Sequence, residues 1–254
     1  MPVLNFKKFL HEQMVGLDSS HAADLIKKDC APFLMAAKGA VFYRGMPLDH
    51  AEEICAGLYR SQTNRDRQPK DSPPWLHNAM NDNLIKKCGI ALRSCSVFAT
   101  ASVIEASNYG DVHAIFPIGD FNYAWSKLVE DPTHVFFTAV NKEGSIPDEL
   151  TGLRDQLARA FDQAREKFGL TADSTTSIDQ YVHDNKKHLF VSGSPWIEFI
   201  QDFIRTHDLW TVNSGLKQAA TAQYSGHEIM FDCDSYYVVT LKSLKDVLKK
   251  INNS

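Results

Sequence analysis

The chain has 254 residues, 44% of them hydrophobic and 23% charged, with a formal net charge of -4. That length and composition suit a globular protein with a substantial core and exclude a disordered or low-complexity chain. The negative charge excludes bulk, field-driven binding of nucleic acid and leaves room only for a local basic patch.

In chain order, the first forty residues carry two helical stripes. Phe6, Phe9 and Leu10 form the first; Ala22, Leu25, Ile26, Cys30, Phe33 and Leu34 form the second, which ends near Gly39. Ala40-Val41-Phe42-Tyr43-Arg44 is a short, mostly apolar strand stopped by Gly45 and Pro47. A helix is predicted over 49–59, and the polar residues 61–72 read as loop. Ser72, Pro73 and Pro74 open the next helix. Its buried side carries Trp75, Met80, Leu84 and Cys88, and Gly89 marks its end. A strand over 96–100 leads into a short helix over 102–109, and an apolar strand follows at 112–118. Residues 133–140, β-branched and aromatic, predict another.

Over 145–192 the pattern changes. Leu150, Leu153, Leu157, Phe161, Ala164 and Phe168 recur at helical spacing, with Pro147 before them and Gly169 after. A further helix is predicted over 196–206. Strands return at 228–231 and 236–241, and a basic helix from Ser243 closes the chain. Lys242, Lys245, Lys249 and Lys250 read as the solvated face of that helix. Strands at both ends with helices between them give an α+β class with a helical excursion in the middle.

Three short segments carry candidate chemistry. In Phe42-Tyr43-Arg44-Gly45, an arginine at a strand end before a turn glycine can hold a phosphate in its planar fork. Taken alone it is most simply a strand-edge arginine paired with a carboxylate. In Ser96-Val97-Phe98-Ala99-Thr100-Ala101-Ser102, hydroxyls at a strand-to-helix turn can fix a carboxylate or a ribose, while the simpler role for Ser102 is to cap the helix. In Ser225-Gly226-His227-Glu228-Ile229-Met230-Phe231, a carboxylate heads an apolar strand, where a solvated glutamate is also ordinary.

Taken in this order, aromatic-Arg-Gly, Phe-x-Thr-x-Ser and Glu-Ile-Met-Phe resemble the arginine–serine–glutamate branch of the ADP-ribosyltransferase family. The resemblance spans about residues 40–241 and rests on few positions. It implies one domain over 1–254, an ADP-ribosyltransferase-like split β-sandwich with N-terminal helices (1–39) and a mainly helical insertion over about 145–192. NAD is then the substrate, and Arg44 and Glu228 are the catalytic pair. By the same resemblance Arg44 holds phosphate and ribose, the backbone of Gly45 meets the nicotinamide amide, and Thr100 and Ser102 brace Glu228 or the ribose. Tyr109, and after it Phe116, are the candidates to stack on nicotinamide. Asn64-Arg65-Asp66-Arg67-Gln68-Pro69-Lys70-Asp71, Phe116-Pro117-Ile118-Gly119-Asp120 and Tyr123-Ala124-Trp125-Ser126 are similar to segments of phage-associated members, which implies a host cytoplasm; Arg67 takes no role in this reading.

Two departures shape the expectation. Ala101 stands where the family's hydroxyl trio has its middle member, and Gly226 stands where arginine-modifying members carry a second acidic residue. Gln223 sits at the wrong offset to replace that residue, so arginine is disfavoured as acceptor. The resemblance thus implies a mono-ADP-ribosyltransferase acting on a macromolecule, protein or nucleic acid. An NAD glycohydrolase on the same fold and a non-catalytic phage structural or host-binding protein are the alternatives.

The remaining signals are negative. The five cysteines, Cys30, Cys55, Cys88, Cys95 and Cys233, are scattered without CxxC spacing and read as free thiols of a reducing cytoplasm. The ten histidines include no HExxH, so no metal is expected. No leader segment and no apolar run of membrane-spanning length occurs, so no membrane partner is expected.

Overall fold

The computed structural model describes residues 19–46, 58–67, 74–127, 130–131 and 209–253. The stripe at Phe6–Leu10 and the elements expected at 133–140, 145–192 and 196–206 lie outside these residues, as does most of the helix expected over 49–59. The described residues form a mixed α+β structure with seven helices and two four-stranded antiparallel sheets. The chain divides into two compact units, one of residues 1–67, 95–125 and 211–254, the other of 68–94 and 126–210.

Helices α1 (Ser19–Asp29) and α2 (Ala31–Ala37) open the first unit. The stripe from Ala22 to Leu34 predicts one continuous helix, and the break at Cys30 follows from Pro32. Inside a helix that proline would lack its i→i−4 bond and press on the preceding turn; in the first turn of a new helix neither cost arises. The apolar side survives the break, because Ala22, Ala23, Ile26, Phe33 and Ala37 are all buried. Lys38 (φ 49°) and Gly39 (φ 85°) then end α2 in the left-handed region.

The strands are β1 (Phe42–Met46), β2 (Leu58–Gln62), β3 (Val97–Ala99), β4 (Asp111–Pro117), β5 (Asn122–Trp125), β6 (Thr211–Val212), β7 (Ile229–Asp232) and β8 (Ser235–Thr240). The remaining helices are α3 (Pro74–Cys88), α4 (Leu92–Cys95), α5 (Val103–Ser107), α6 (Leu216–Ala219) and α7 (Leu241–Asn252). One sheet has the order β1-β4-β8-β2 and the other β3-β7-β5-β6.

Two expectations change. Gly45 does not stop β1, which keeps its register with β4 as far as Met46 opposite Asp111. Residues 58–62, read as a helix end and a loop start, form an edge strand on β8 with Leu58 opposite Val239. A tertiary partner overrides a weak local signal there.

The core of the first unit gathers on Phe231 of β7. Its ring lies 5.4 Å from that of Phe42 on β1, 5.8 Å from Phe33 on α2, and 6.1 Å from Phe121. Phe42 and Phe231 belong to different sheets, so this contact closes one sheet on the other. Edge-to-face pairs of this kind add about 0.5–1.5 kcal/mol each beyond area burial.

In the second unit α3 ends as its sequence predicts: Gly89 has φ 78° and its N–H donates to Ile85 O at 2.7 Å. Met80 and Leu84 are buried beside a polar set. Asn81 donates to Ser94 Oγ at 2.8 Å and accepts the Arg93 N–H at 3.0 Å, while His77 Nε2 lies 2.9 Å from the same hydroxyl. Among the described residues no helix is long and apolar enough to cross a membrane.

Truncating the shared aromatic tests this account of the core. Phe231→Ala should cost about 3–5 kcal/mol, the usual range for a fully buried phenylalanine. The measurement is the urea midpoint followed by near-ultraviolet circular dichroism. A midpoint equal to that of the unaltered protein would mean that the two sheets are held together by other contacts.

Candidate functional site

The site is built around the end of β3. Thr100 forms an isolated antiparallel bridge with Tyr43 of β1: the Tyr43 N–H donates to Thr100 O at 2.6 Å and the Thr100 N–H donates to Tyr43 O at 2.9 Å. On its other side β3 pairs with β7, Ala99 opposite Ile229, and one more step of that register sets Thr100 opposite Glu228. The three segments singled out in the sequence, distant along the chain, therefore meet at neighbouring strand positions of one unit.

Arg44 is half-buried on β1. Its Nη1 donates to the Phe98 carbonyl at 3.1 Å, and its Nε is buried with no hydrogen-bond partner. An unsatisfied buried donor costs about 1–3 kcal/mol, more when charged. An oxyanion brought by a ligand is the natural complement of such a donor.

Gly45 is needed for close approach. A Cβ there would lie 2.1 Å from the Ala106 carbonyl oxygen and 2.8 Å from Tyr109 Cβ, so α5 sits directly on the backbone of β1. The bridge also fixes which way the amides of β1 point. Antiparallel pairing alternates along a strand, and because Tyr43 turns its N–H and C=O toward Thr100, Gly45 turns its own to the same side, away from β4.

The hydroxyls are committed to the frame. Thr100 Oγ1 donates to the Ser225 carbonyl at 2.7 Å and accepts the Ser102 N–H at 3.2 Å. Ser102 Oγ accepts the Glu105 N–H at 3.2 Å as the N-cap of α5, the simpler of its two expected roles. Thr100 thus braces the turn before Glu228 through a backbone carbonyl. Glu228 is half-buried, one residue ahead of β7.

That turn is held by aromatic packing as well. The ring of Tyr224 lies 5.3 Å from Trp125 and 5.2 Å from His227, both edge to face. Just before Tyr224, Thr221, Ala222 and Gln223 are exposed, and α6 precedes them.

The two aromatic candidates separate. Tyr109 is 66% exposed, just past α5 and beside Gly45. Phe116 is 1% exposed on β4, with its ring 5.9 Å from Phe33 in the core. It has no face to offer a ligand, which corrects its assignment as a nicotinamide contact.

Several residues at the site take no role in the sequence reading. Phe98 supplies the carbonyl for Arg44, and its ring carries the Arg67 guanidinium 3.7 Å from its centroid. Arg65 bridges Asp232 and Asp234, with Asp234 at 2.6 Å, and also donates to Cys95 O at 3.3 Å. Those two carboxylates, Asp234 foremost by its hydrogen bond, push the guanidinium further toward its charged form. Burial lifts the Tyr43 phenol above its ordinary value, so it is neutral beside Arg44 at physiological pH. Among the described residues, no group of three or more His, Cys, Asp or Glu side chains is arranged to hold a metal ion.

Comparison with protein-family models, curated protein sequences and solved structures finds no match to this chain.

The bracing role of Thr100 is open to test. Thr100→Val removes the hydroxyl at nearly constant volume and leaves the Ser225 carbonyl and the Ser102 N–H without it, which should cost about 1–3 kcal/mol. Thr100→Ser keeps the hydroxyl and should recover most of that in a denaturant titration. Equal losses in both variants would assign the effect to the methyl group instead.

Proposed function

We propose that this chain is a mono-ADP-ribosyltransferase with the ADP-ribosyltransferase-like split β-sandwich, cleaving NAD at the nicotinamide–ribose bond and passing ADP-ribose to a macromolecular acceptor. One observation carries the reading: Thr100 bridges to Tyr43, and Ala99 just before it pairs with Ile229 just after Glu228, so Arg44, Gly45 and Glu228 flank the end of a single strand. The buried, unsatisfied Nε of Arg44 suits a phosphate oxygen, and the outward-turned amide of Gly45 suits the carboxamide of nicotinamide. Exposed Tyr109, packed beside Gly45, supplies an aromatic face for the nicotinamide ring.

In the reaction the C1′–N bond breaks with its electron pair leaving on nicotinamide. The ribose then carries oxocarbenium character. The Glu228 carboxylate, hydrogen-bonded to the ribose 2′-hydroxyl, opposes that charge and orients the ring. Arg44 holds the diphosphate, so that reacting groups are positioned before the barrier is climbed. The acceptor's nucleophile bonds to C1′ and loses its proton.

Two variants test this division of labour. Arg44→Ala should weaken NAD binding about ten- to hundredfold in calorimetry, the equivalent of one charge-assisted contact. Glu228→Gln should bind NAD almost normally but release nicotinamide about a hundredfold more slowly, because the lost interaction strengthens mainly in the transition state. Nicotinamide release at the unaltered rate from Glu228→Gln would remove the glutamate from the chemistry. Labelled NAD in a lysate identifies the acceptor; label found only in free ADP-ribose would make it water.

A further inference from the structure

Two helices give this acidic chain a basic face. Together α1 and α7 carry six lysines against three aspartates, in a protein whose formal net charge is -4. Lys28, Lys242, Lys245, Lys249 and Lys250 are exposed. Lys28, Lys242, Lys245 and Lys249 have no ion-pair partner among the described residues, although Asp24 and Asp246 are exposed on the same helices. Lys250 donates to Ser20 Oγ, which sets the end of α7 beside the start of α1, and the two helices pack against each other.

The spacing on α7 is regular. Lys242, Lys245 and Lys249 are three and four residues apart, so they share one face and rise about 4.5 and 6 Å from one to the next. Such a ladder meets successive charges of a repeating polyanion. It also starts close to the candidate site: Arg44 pairs with His113, and His113 pairs with Thr240, the N-cap of α7. Two strand spacings, about 10 Å, separate the backbones of Arg44 and Thr240.

We infer that the lysine face of α7 and α1 docks the phosphate backbone of a single-stranded nucleic acid, alongside the NAD site. Flexible ammonium groups without paired donors in a fixed fork suit sequence-independent phosphate contact. A membrane surface fits less well. The apolar side of α7, Leu244 and Val247, is already buried in the core, and the exposed side offers lysines with little apolar surface to enter a bilayer. Docking itself stands on these helices alone; that the docked strand is the acceptor of ADP-ribose rests on the transferase reading.

The test uses the full chain and a fluorescein-labelled uridine oligomer, followed by anisotropy. Affinity should fall about tenfold or more between roughly 50 and 200 mM salt, with a log–log slope that loses about 0.7 for each lysine removed. The triple substitution Lys242→Gln, Lys245→Gln, Lys249→Gln should therefore flatten the slope by about 2 and weaken binding at low salt about tenfold or more. Replacing the same three by arginine should retain it. Nicotinamide release from NAD alone should be unchanged in the glutamine variant, since none of these lysines belongs to the NAD site. No binding at low salt, or binding indifferent to the glutamine triple, overturns the inference. So does tighter lysine-dependent binding to polyglutamate or to phosphatidylserine vesicles than to RNA. If the chain binds RNA through these lysines yet cleaves no NAD, the docking face stands and the transferase reading falls.

Discussion

Everything at the candidate site hangs on the bridge between Tyr43 and Thr100. It is a single pair of backbone hydrogen bonds, yet it joins an edge strand of one sheet to an edge strand of the other. From Thr100 the frame extends in two further directions, through its hydroxyl to the Ser225 carbonyl and through its acceptance of the Ser102 N–H at the start of α5. Three segments distant in the chain are thus tied together by one residue. Such a buried, fully used hydroxyl is a strong specifier, because the low dielectric that strengthens its bonds also makes their loss expensive.

The two carboxylates on the Phe98 side of β7 have different fates. Asp232, at the end of the strand, is held by Arg65 and by Asn122 Nδ2 at 3.3 Å. Asn122 in turn accepts from Asn213 at 2.9 Å, so that end of the sheet is tied by a polar chain. Glu228 stands ahead of the other end, where the backbone has just left a turn propped by Trp125 and Tyr224. In the proposed reaction, a glutamate that follows a turn packed on aromatic rings suits electrostatic preorganisation.

Much of this was legible in the sequence, for physical reasons. Apolar periodicity located β1, β3, β4, β7 and β8 because each buries a face on the Phe231 cluster. Gly89 and Ser102 announced their helix ends because caps depend on local chemistry alone. What failed was, Pro32 apart, non-local. The strand at 58–62 exists only by pairing with β8, Pro32 split a stripe that looked continuous, and Phe116 looked like a ring for a ligand because a single sequence does not say which aromatic the core will claim. The arginine, glycine, hydroxyls and glutamate are singled out by resemblance to a family's ordered motifs and by nothing in their spacing. Their meeting at Thr100 could not be read from spacing, since it depends on two different sheets.

The free thiols of the core carry a consequence for the conditions the fold tolerates. Burial first, then the neighbouring Asp29 carboxylate, pushes the Cys30 thiol up to about 12, and burial pushes Cys233 up to about 11. Both stay protonated at any physiological pH, and only a thiolate attacks peroxide or a disulfide. Scattered free cysteines ordinarily suggest a chain that must be kept reduced. These two are instead buried and held as thiols, Cys30 donating to the Phe116 carbonyl and Cys233 beside the Thr63 hydroxyl, so neither is a ready nucleophile while the core around Phe231 stays packed.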